Sequence, residues 1–385
     1  MPRSIDRDRR SRLPESARTL SLVGMAISIL VCALATEPSW GQEQRRVTVM
    51  SYNVENLFDN VDNPAREGDN TYLPLAQKGT PAHVALCERN NAPGTFRDEC
   101  LNLDWNSVVL ATKIANLAAV IGRFEGSGPD ILVLQEVENR QILDRLRLAL
   151  PSGASYVTAV NLDDSPGRGI NVAILSKLPQ MPGVAPVSTP INFPADVTQD
   201  DGQPCGSTRN VTAFTLRLPD GMPLTVFALH MPAGGPAHPC RTFVATVLAG
   251  LVRALPVSAM AIAAGDTNLN CGDDDQETIR TVLRPALVVP DEVNKGCRPP
   301  GSSFFPPQGW SFLDLIVTSR SLLGSDQTGA TWFADLGSFR TVVSAPELQV
   351  QRDSKNRISP RRFNPTARTG ASDHWPVALD LIRRQ

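Results

Sequence analysis

Met260-Ala-Ile-Ala-Ala264, followed by Gly265-Asp266-Thr267-Asn268, is the stretch that decides how this chain is read. Five apolar residues in a row fit a strand buried on both faces, because a half-exposed strand would alternate with polar residues. The run stops at a carboxylate and an amide, so those groups sit at the end of a buried strand. Alone, Gly-Asp-x-Asn is an ordinary turn sequence. It becomes informative because the same event recurs along the chain.

Val47-Thr-Val-Met-Ser-Tyr52 predicts a first strand that runs into Asn53-Val-Glu55-Asn56. Asp130-Ile-Leu-Val-Leu134 predicts another, ending in Gln135-Glu136. Strands over 211–218 and 223–230 form a hairpin around Pro219-Asp220-Gly221 and end in Leu229-His230-Met231. Phe312 to Thr318 is a strand carrying Asp314, and Ser372-Asp373-His374 precedes a last strand near 376–382. Further strands are expected near 156–161 and 171–176. Leu110, Ile114, Leu117, Ala118 and Ile121 recur at helical spacing, and helices are also expected over 139–149 and from Arg241 to Leu255. Strands outnumber helices and alternate with them only in part, which predicts packed sheets with helices outside, in one domain.

Taken in this order, the motifs resemble those of the endonuclease/exonuclease/phosphatase (DNase I-like) superfamily. Ser51-Tyr52-Asn53-Val54-Glu55-Asn56 is similar to its first motif and Leu134-Gln135-Glu136-Val137 to its second. Leu229-His230 resembles its hairpin histidine. Gly265-Asp266-Thr267-Asn268 resembles Gly-Asp-Phe-Asn, with Thr267 in place of the aromatic. Leu313-Asp314-Leu315-Ile316 and Ser372-Asp373-His374 resemble its late strand and terminal signature. The resemblance runs from about 46 to 382. It implies an α/β (α+β) four-layered sandwich, two facing mixed β-sheets flanked by helices. It also implies hydrolysis of phosphoric esters with a divalent cation. Carried over, Glu136 is the main metal ligand with Asn53 beside it. Asp266 and Asn268 orient water and phosphate, and His230 binds a phosphate oxygen. Asp314 pairs with His374, and Asp373 binds phosphate or a second metal. The family often places a Tyr or Arg near its fourth strand; Arg168 is the candidate here.

The residue types suit that chemistry. A phosphodiester is anionic, so its hydrolysis needs neutralised oxygens and a positioned water. Hard oxygen ligands favour Mg²⁺ or Mn²⁺, with Ca²⁺ a candidate structural ion. The chain has four histidines, His83, His230, His238 and His374, without a His-x-x-x-His pair, which disfavours zinc. Lys plus Arg is 37 against 39 Asp plus Glu, a net charge of −2. That excludes a passive basic coat on nucleic acid. The apolar share of 42% excludes a disordered chain.

The first 18 residues carry six arginines, and Thr19 to Ala35 is uncharged, mostly apolar and ends in Ala33-Leu34-Ala35. This predicts a signal peptide within 1–41, cleaved between 35 and 41, a mature domain over 42–385, and a secreted or periplasmic monomer without stable membrane association. Six cysteines then remain, Cys87, Cys100, Cys205, Cys240, Cys271 and Cys297. An even set in an exported chain reads as three disulfides, with 15 possible connectivities. Cys205 and Cys240 lie at the open end of the 211–230 hairpin, while 87–100 and 271–297 would each close a polar loop.

Long loops are expected at 59–106, 294–310 and 351–370. Arg352, Lys355, Arg357, Arg361, Arg362 and Arg368 stand against Asp353 just before Ser372-Asp373-His374. A basic strip there suits a polyanion backbone, with Arg357, Arg361 and Arg362 as phosphate contacts. Phe304, Phe305 and Trp310 could stack on bases, touch lipid or anchor their loop. The favoured reading is a nuclease on DNA or RNA. The alternatives are a phosphodiesterase on lipid head groups, of the sphingomyelinase or inositol-phosphatase kind, and a binding protein with a dead site.

Overall fold

Alternation along the first strand, β1 (Arg46–Leu57), sets up two layers at once. Val47 and Val49 join one buried cluster, while Met50, Tyr52 and Val54 join another. Both faces of the strand are therefore covered, and its apolar content is high for that reason. The computed structural model describes residues 46–64, 66–151, 155–162, 169–290, 300–306, 309–323 and 331–383. The leader, Arg168 and Cys297 lie outside the described residues.

β1 pairs in parallel with β2 (Ile131–Val137) and antiparallel with β15 (Val377–Arg383). With β12 (Trp332–Thr341), β4 (Asn171–Ser176) and β3 (Thr158–Val160) they form a sheet in the order β12-β15-β1-β2-β4-β3. The second sheet runs β11 (Asp314–Thr318), β8 (Met260–Asp266), β7 (Pro223–His230), β6 (Val211–Arg217), β5 (Val187–Thr189). β7 and β8 are parallel and the other pairs antiparallel, so both sheets are mixed.

The helices α3 (Ser107–Arg123) and α4 (Arg140–Ala149) press Leu110, Ile114, Leu117, Ile121, Ile142, Leu143 and Leu146 onto the outer face of the first sheet. On the second sheet, α5 (His238–Arg253) contributes Val244, Ala245, Leu248 and Val252. The result is the α/β/β/α sandwich. Asn106 and Asn139 cap α3 and α4 by accepting N–H bonds from Val108, Val109 and Ile142. Each such cap contributes about 1 kcal/mol.

The expected loops are more ordered than their composition suggests. Residues 59–106 hold two helices, α1 (Pro81–Asn90) and α2 (Thr95–Asn102), whose apolar periodicity is weak. The Cys87–Cys100 disulfide joins them where an apolar face would otherwise be needed. Residues 294–310 include the strand β9 (Ser303–Phe305), which pairs with β10 (Gly309–Ser311). Residues 351–370 include most of the β13 (Val350–Arg352) and β14 (Ile358–Pro360) hairpin. Cys205–Cys240 is formed as expected, and Cys271 is disulfide-bonded. Trp310 anchors its hairpin: it is buried, 4.8 Å from Trp375 and 5.5 Å from Phe304 between ring centroids. Phe305 is exposed.

Candidate active site

Three strands of the second sheet place their polar residues in one row. His230 is the register partner of Asp266, and Asp266 is the partner of Asp314. Residues in register across neighbouring strands share a face, so all three side chains converge at one sheet end. The row needs β7 and β8 close together, which explains Gly265. A Cβ there would lie 1.9 Å from the Leu229 carbonyl oxygen. Thr267, the departure from the family's aromatic, is buried and donates its Oγ1 hydrogen to the Leu313 oxygen at 2.8 Å. It ties the end of β8 to the start of β11.

The first sheet supplies the facing groups. Ser51 and Asn53 continue the Val47, Val49 face of β1, so Asn53 reaches between the sheets. Simple alternation along β2 would turn Glu136 the other way, with Leu132 and Leu134. A bulge between Gln135 and Val137 re-aims it. Glu136 has φ 64°, a left-handed conformation uncommon for a residue with a side chain. Glu55, Asn56 and Asn268 share that conformation at φ 53°, 55° and 50°. Backbone of this kind is costly and persists where the surroundings hold it.

Asn53 binds the facing carboxylates together. Its Nδ2 donates to Glu136 Oε1 at 3.2 Å and to Asp266 Oδ2 at 3.0 Å, while its Oδ1 accepts the Glu55 N–H at 2.9 Å. In this arrangement it bridges two carboxylates. Glu136 Oε2 accepts the Asn56 N–H at 2.8 Å. His230 Nε2 lies 3.5 Å from Asp266 Oδ2 and 3.9 Å from Glu136 Oε1. Asn268 is held by its own N–H to Asp266 Oδ1 and by its amide to the Met231 oxygen.

His374 closes the ring. Its Nδ1 is 2.7 Å from Asp314 Oδ2, and its Nε2 is 3.8 Å from Asp266 Oδ2 and 4.0 Å from Asp373 Oδ1. Burial opposes charge on the imidazole, but Asp314 and Asp266 outweigh it and hold the pKa well above its ordinary value. Burial is also the main cause pushing the Asp266 carboxyl up to about 7, with His374 opposing and Asp314 adding. The site therefore pairs a proton-holding imidazole with a carboxyl able to gain or lose a proton near neutrality.

A cleft of about 810 Å³ reaches this constellation at Asn56, Glu136 and Asp373. Asn56, Glu136, Asp373 and Arg362 line it, as do Phe305 and, from α2, Phe96. The basic strip contributes less than its composition suggests. Arg357 pairs with Asp353 at 2.6 Å, and Arg361 donates to the Glu347 oxygen at 2.9 Å; neither lines the cleft. Arg362 does, but as the ion-pair partner of Glu55.

The family model "Endonuclease/Exonuclease/phosphatase family" matches residues 101–374. The chain belongs to this family. It is a metal-dependent hydrolase of phosphoric ester bonds, as the family's members are. No curated protein matches the chain in sequence. Similar solved structures include a humanized D. rerio TDP2 carrying 14 mutations, at 15% identity and TM-score 0.50, covering 87% of this chain and 98% of that one. The structure titled SmcL is 13% identical at TM-score 0.51, covering 88% and 99%. A family protein from Beutenbergia cavernae DSM 12333 is 16% identical at TM-score 0.50, covering 88% and 72%. At these identities the likeness concerns the fold alone.

The family's members use a divalent cation, and the oxygen donors beside the row fit one. Glu136 and Asp373 present carboxylates to the cleft, and hard oxygen donors suit Mg²⁺ or Mn²⁺ rather than a soft metal. A second cluster, His83 with Cys87 and Cys100, has ligand-like spacing, but its sulfurs are spent in a disulfide. Lys113 and Phe96 are site neighbours the sequence reading passed over. Lys113 sits on the helical face otherwise read as apolar, and Phe96 lies in a segment read as loop.

Proposed function

We propose that the protein is an exported nuclease, a phosphodiesterase acting on DNA or RNA. The observation that carries this reading is the cleft: Phe96 and Phe305, 70% and 45% exposed, line the same space as Glu136 and Asp373. A diester seated at the carboxylates can lay flanking bases on these rings, and base–aromatic stacking is tolerant of sequence. Export is supported by the charged and apolar leader and by the disulfides, which persist in oxidising compartments.

In this proposal protonated His374, oriented by Asp314, binds a phosphate oxygen, and His230 binds a second. Asn268 positions the attacking water and Asp266 takes its proton as the new P–O bond forms; the opposite P–O bond breaks, and the leaving oxygen takes a proton from solvent. Glu136 and Asp373 would hold a divalent cation, which would supply charge neutralisation when bound. Asn53 keeps Glu136 and Asp266 at fixed separation.

Phe305 also favours the second reading, a phosphodiesterase on lipid head groups, because an exposed ring beside Pro306 on a hairpin can enter a bilayer surface. Supplying plasmid, RNA and sphingomyelin vesicles to the mature protein, with and without EDTA, separates the two. EDTA-sensitive cleavage of nucleic acid, reduced by Phe96→Ala, supports the nuclease. Activity on vesicles alone, lost in Phe305→Ala, sinks it in favour of the lipid reading.

A further inference from the structure

The Lys113 ammonium is among the most deeply buried charges of the described residues, 1% exposed on the sheet-facing side of α3. It makes three contacts, each with a segment that carries site residues or adjoins one. Its Nζ donates to the Ala371 carbonyl at 2.7 Å, lies 3.7 Å from Glu55 Oε2, and sits over the Phe363 ring at 5.0 Å from the centroid. Three residues along α3, Asn116 Nδ2 donates to the Gly370 carbonyl at 2.8 Å.

These partners flank the site residues. Gly370 and Ala371 lead directly into Ser372, Asp373 and His374. Glu55 lies between Asn53 and Asn56, the two residues that hold Glu136. Glu55 also accepts the Phe363 N–H at 3.0 Å and pairs with Arg362. The two segments meet where Ser372 Oγ donates to the Asn53 oxygen at 2.7 Å. α3 itself is locked into the core.

Burying an ammonium is expensive, and a methionine of similar length would fill the same space at less desolvation cost. What an apolar side chain lacks is a donor for the Ala371 oxygen and a charge facing Glu55. We propose that Lys113, assisted by Asn116, is a positioning residue that fixes the 53–56 end of β1 against the 370–374 segment. It thereby sets Glu136 and His374 at their working separation. This inference rests on the phosphodiesterase reading of the site.

The test uses Lys113→Met in the full mature protein, with circular dichroism to verify folding. Hydrolysis of bis(p-nitrophenyl) phosphate is measured against substrate and Mg²⁺, and Mn²⁺ binding is followed by electron paramagnetic resonance. The expected result is a kcat about 100-fold lower, as for a misplaced reacting group, a KM changed less, and Mn²⁺ affinity about 10-fold weaker. A folded Lys113→Met with wild-type kcat and Mn²⁺ affinity overturns the proposal. If that variant does not fold, Asn116→Ala decides: a several-fold fall in kcat supports the clamp, and an unchanged kcat overturns it. A wild-type protein inert on every phosphodiester would defeat the functional reading instead, and Mn²⁺ affinity would still judge the positioning role.

Discussion

His374 Nδ1 and Asp314 Oδ2 lie 2.7 Å apart although the residues are separated by 60 positions, Asp314 opening β11 of the second sheet and His374 lying in the segment that leads into β15 of the first. The pair stitches the two halves of the sandwich together at the end where the chemistry gathers. It also keeps the imidazole charged to higher pH than a free histidine. In Asp314→Asn that support is gone, so the pKa of His374 falls. The alkaline limb of kcat/KM against pH should move to lower pH, and the plateau should drop by about 10²–10⁴-fold. An unmoved alkaline limb would show that His374 does not set it.

Glu136 is turned into the site by a bulge, so its conformation is held by the strands beside it. Glu136→Gln should fold normally yet bind Mn²⁺ more than about 100-fold more weakly, with a similar loss of phosphodiester hydrolysis. Titration calorimetry reads the first effect and steady-state rates the second. Near wild-type turnover would remove Glu136 from the metal site.

Burial raises the Glu55 carboxyl from 4.5 to about 7, with Asp373 adding and Lys113 and Arg362 opposing. The folded state then holds a proton that the unfolded state releases. Its contribution to stability is fully present below about pH 4.5 and is lost as pH rises through about 7. Over that window the loss is on the order of 3 kcal/mol. Urea unfolding of metal-free protein at pH 4.5 and pH 8 should show the decline, and Glu55→Gln should flatten it. An equally steep decline in the variant would assign it to other groups.

Gly265→Ala asks β7 and β8 to separate, because the added methyl meets the Leu229 oxygen at 1.9 Å. The cost should be at least about 2 kcal/mol, read as a lower urea midpoint. Hydrolysis should fall further than stability alone explains, since His230 and Asp266 sit on the strands that move. A variant with unchanged midpoint would mean that the strand spacing relaxes freely.

The strand ends were legible because apolar runs break abruptly at Asn53, Glu136, His230 and Asp266. The strands at 171–176 and 223–230 form as read. β12 was missed because its register shifts between Asp335 and Arg340, and Asp335, Gly337 and Ser338 interrupt the alternation. The helices in 59–106 were missed because a disulfide, not an apolar stripe, joins them. The arginine strip is legible only in part for a related reason. Composition shows charge but not its partner, and Arg357 finds Asp353 while Arg362 finds Glu55. Lys113 was hidden by the opposite effect, a cation carried on a face whose other members are apolar.

The His230, Asp266, Asp314 row exists only when three strands from distant parts of the chain are aligned without a slip. Moving β11 by one residue against β8 would turn Asp314 to the other face and bring Leu313 or Leu315 into its place. Such a slipped form would keep most of its secondary structure and look native by circular dichroism. Turnover per molecule is therefore a proofreader for this sandwich. In a refolded preparation, the fraction of expected activity recovered counts the molecules whose β-strands have found their proper partners.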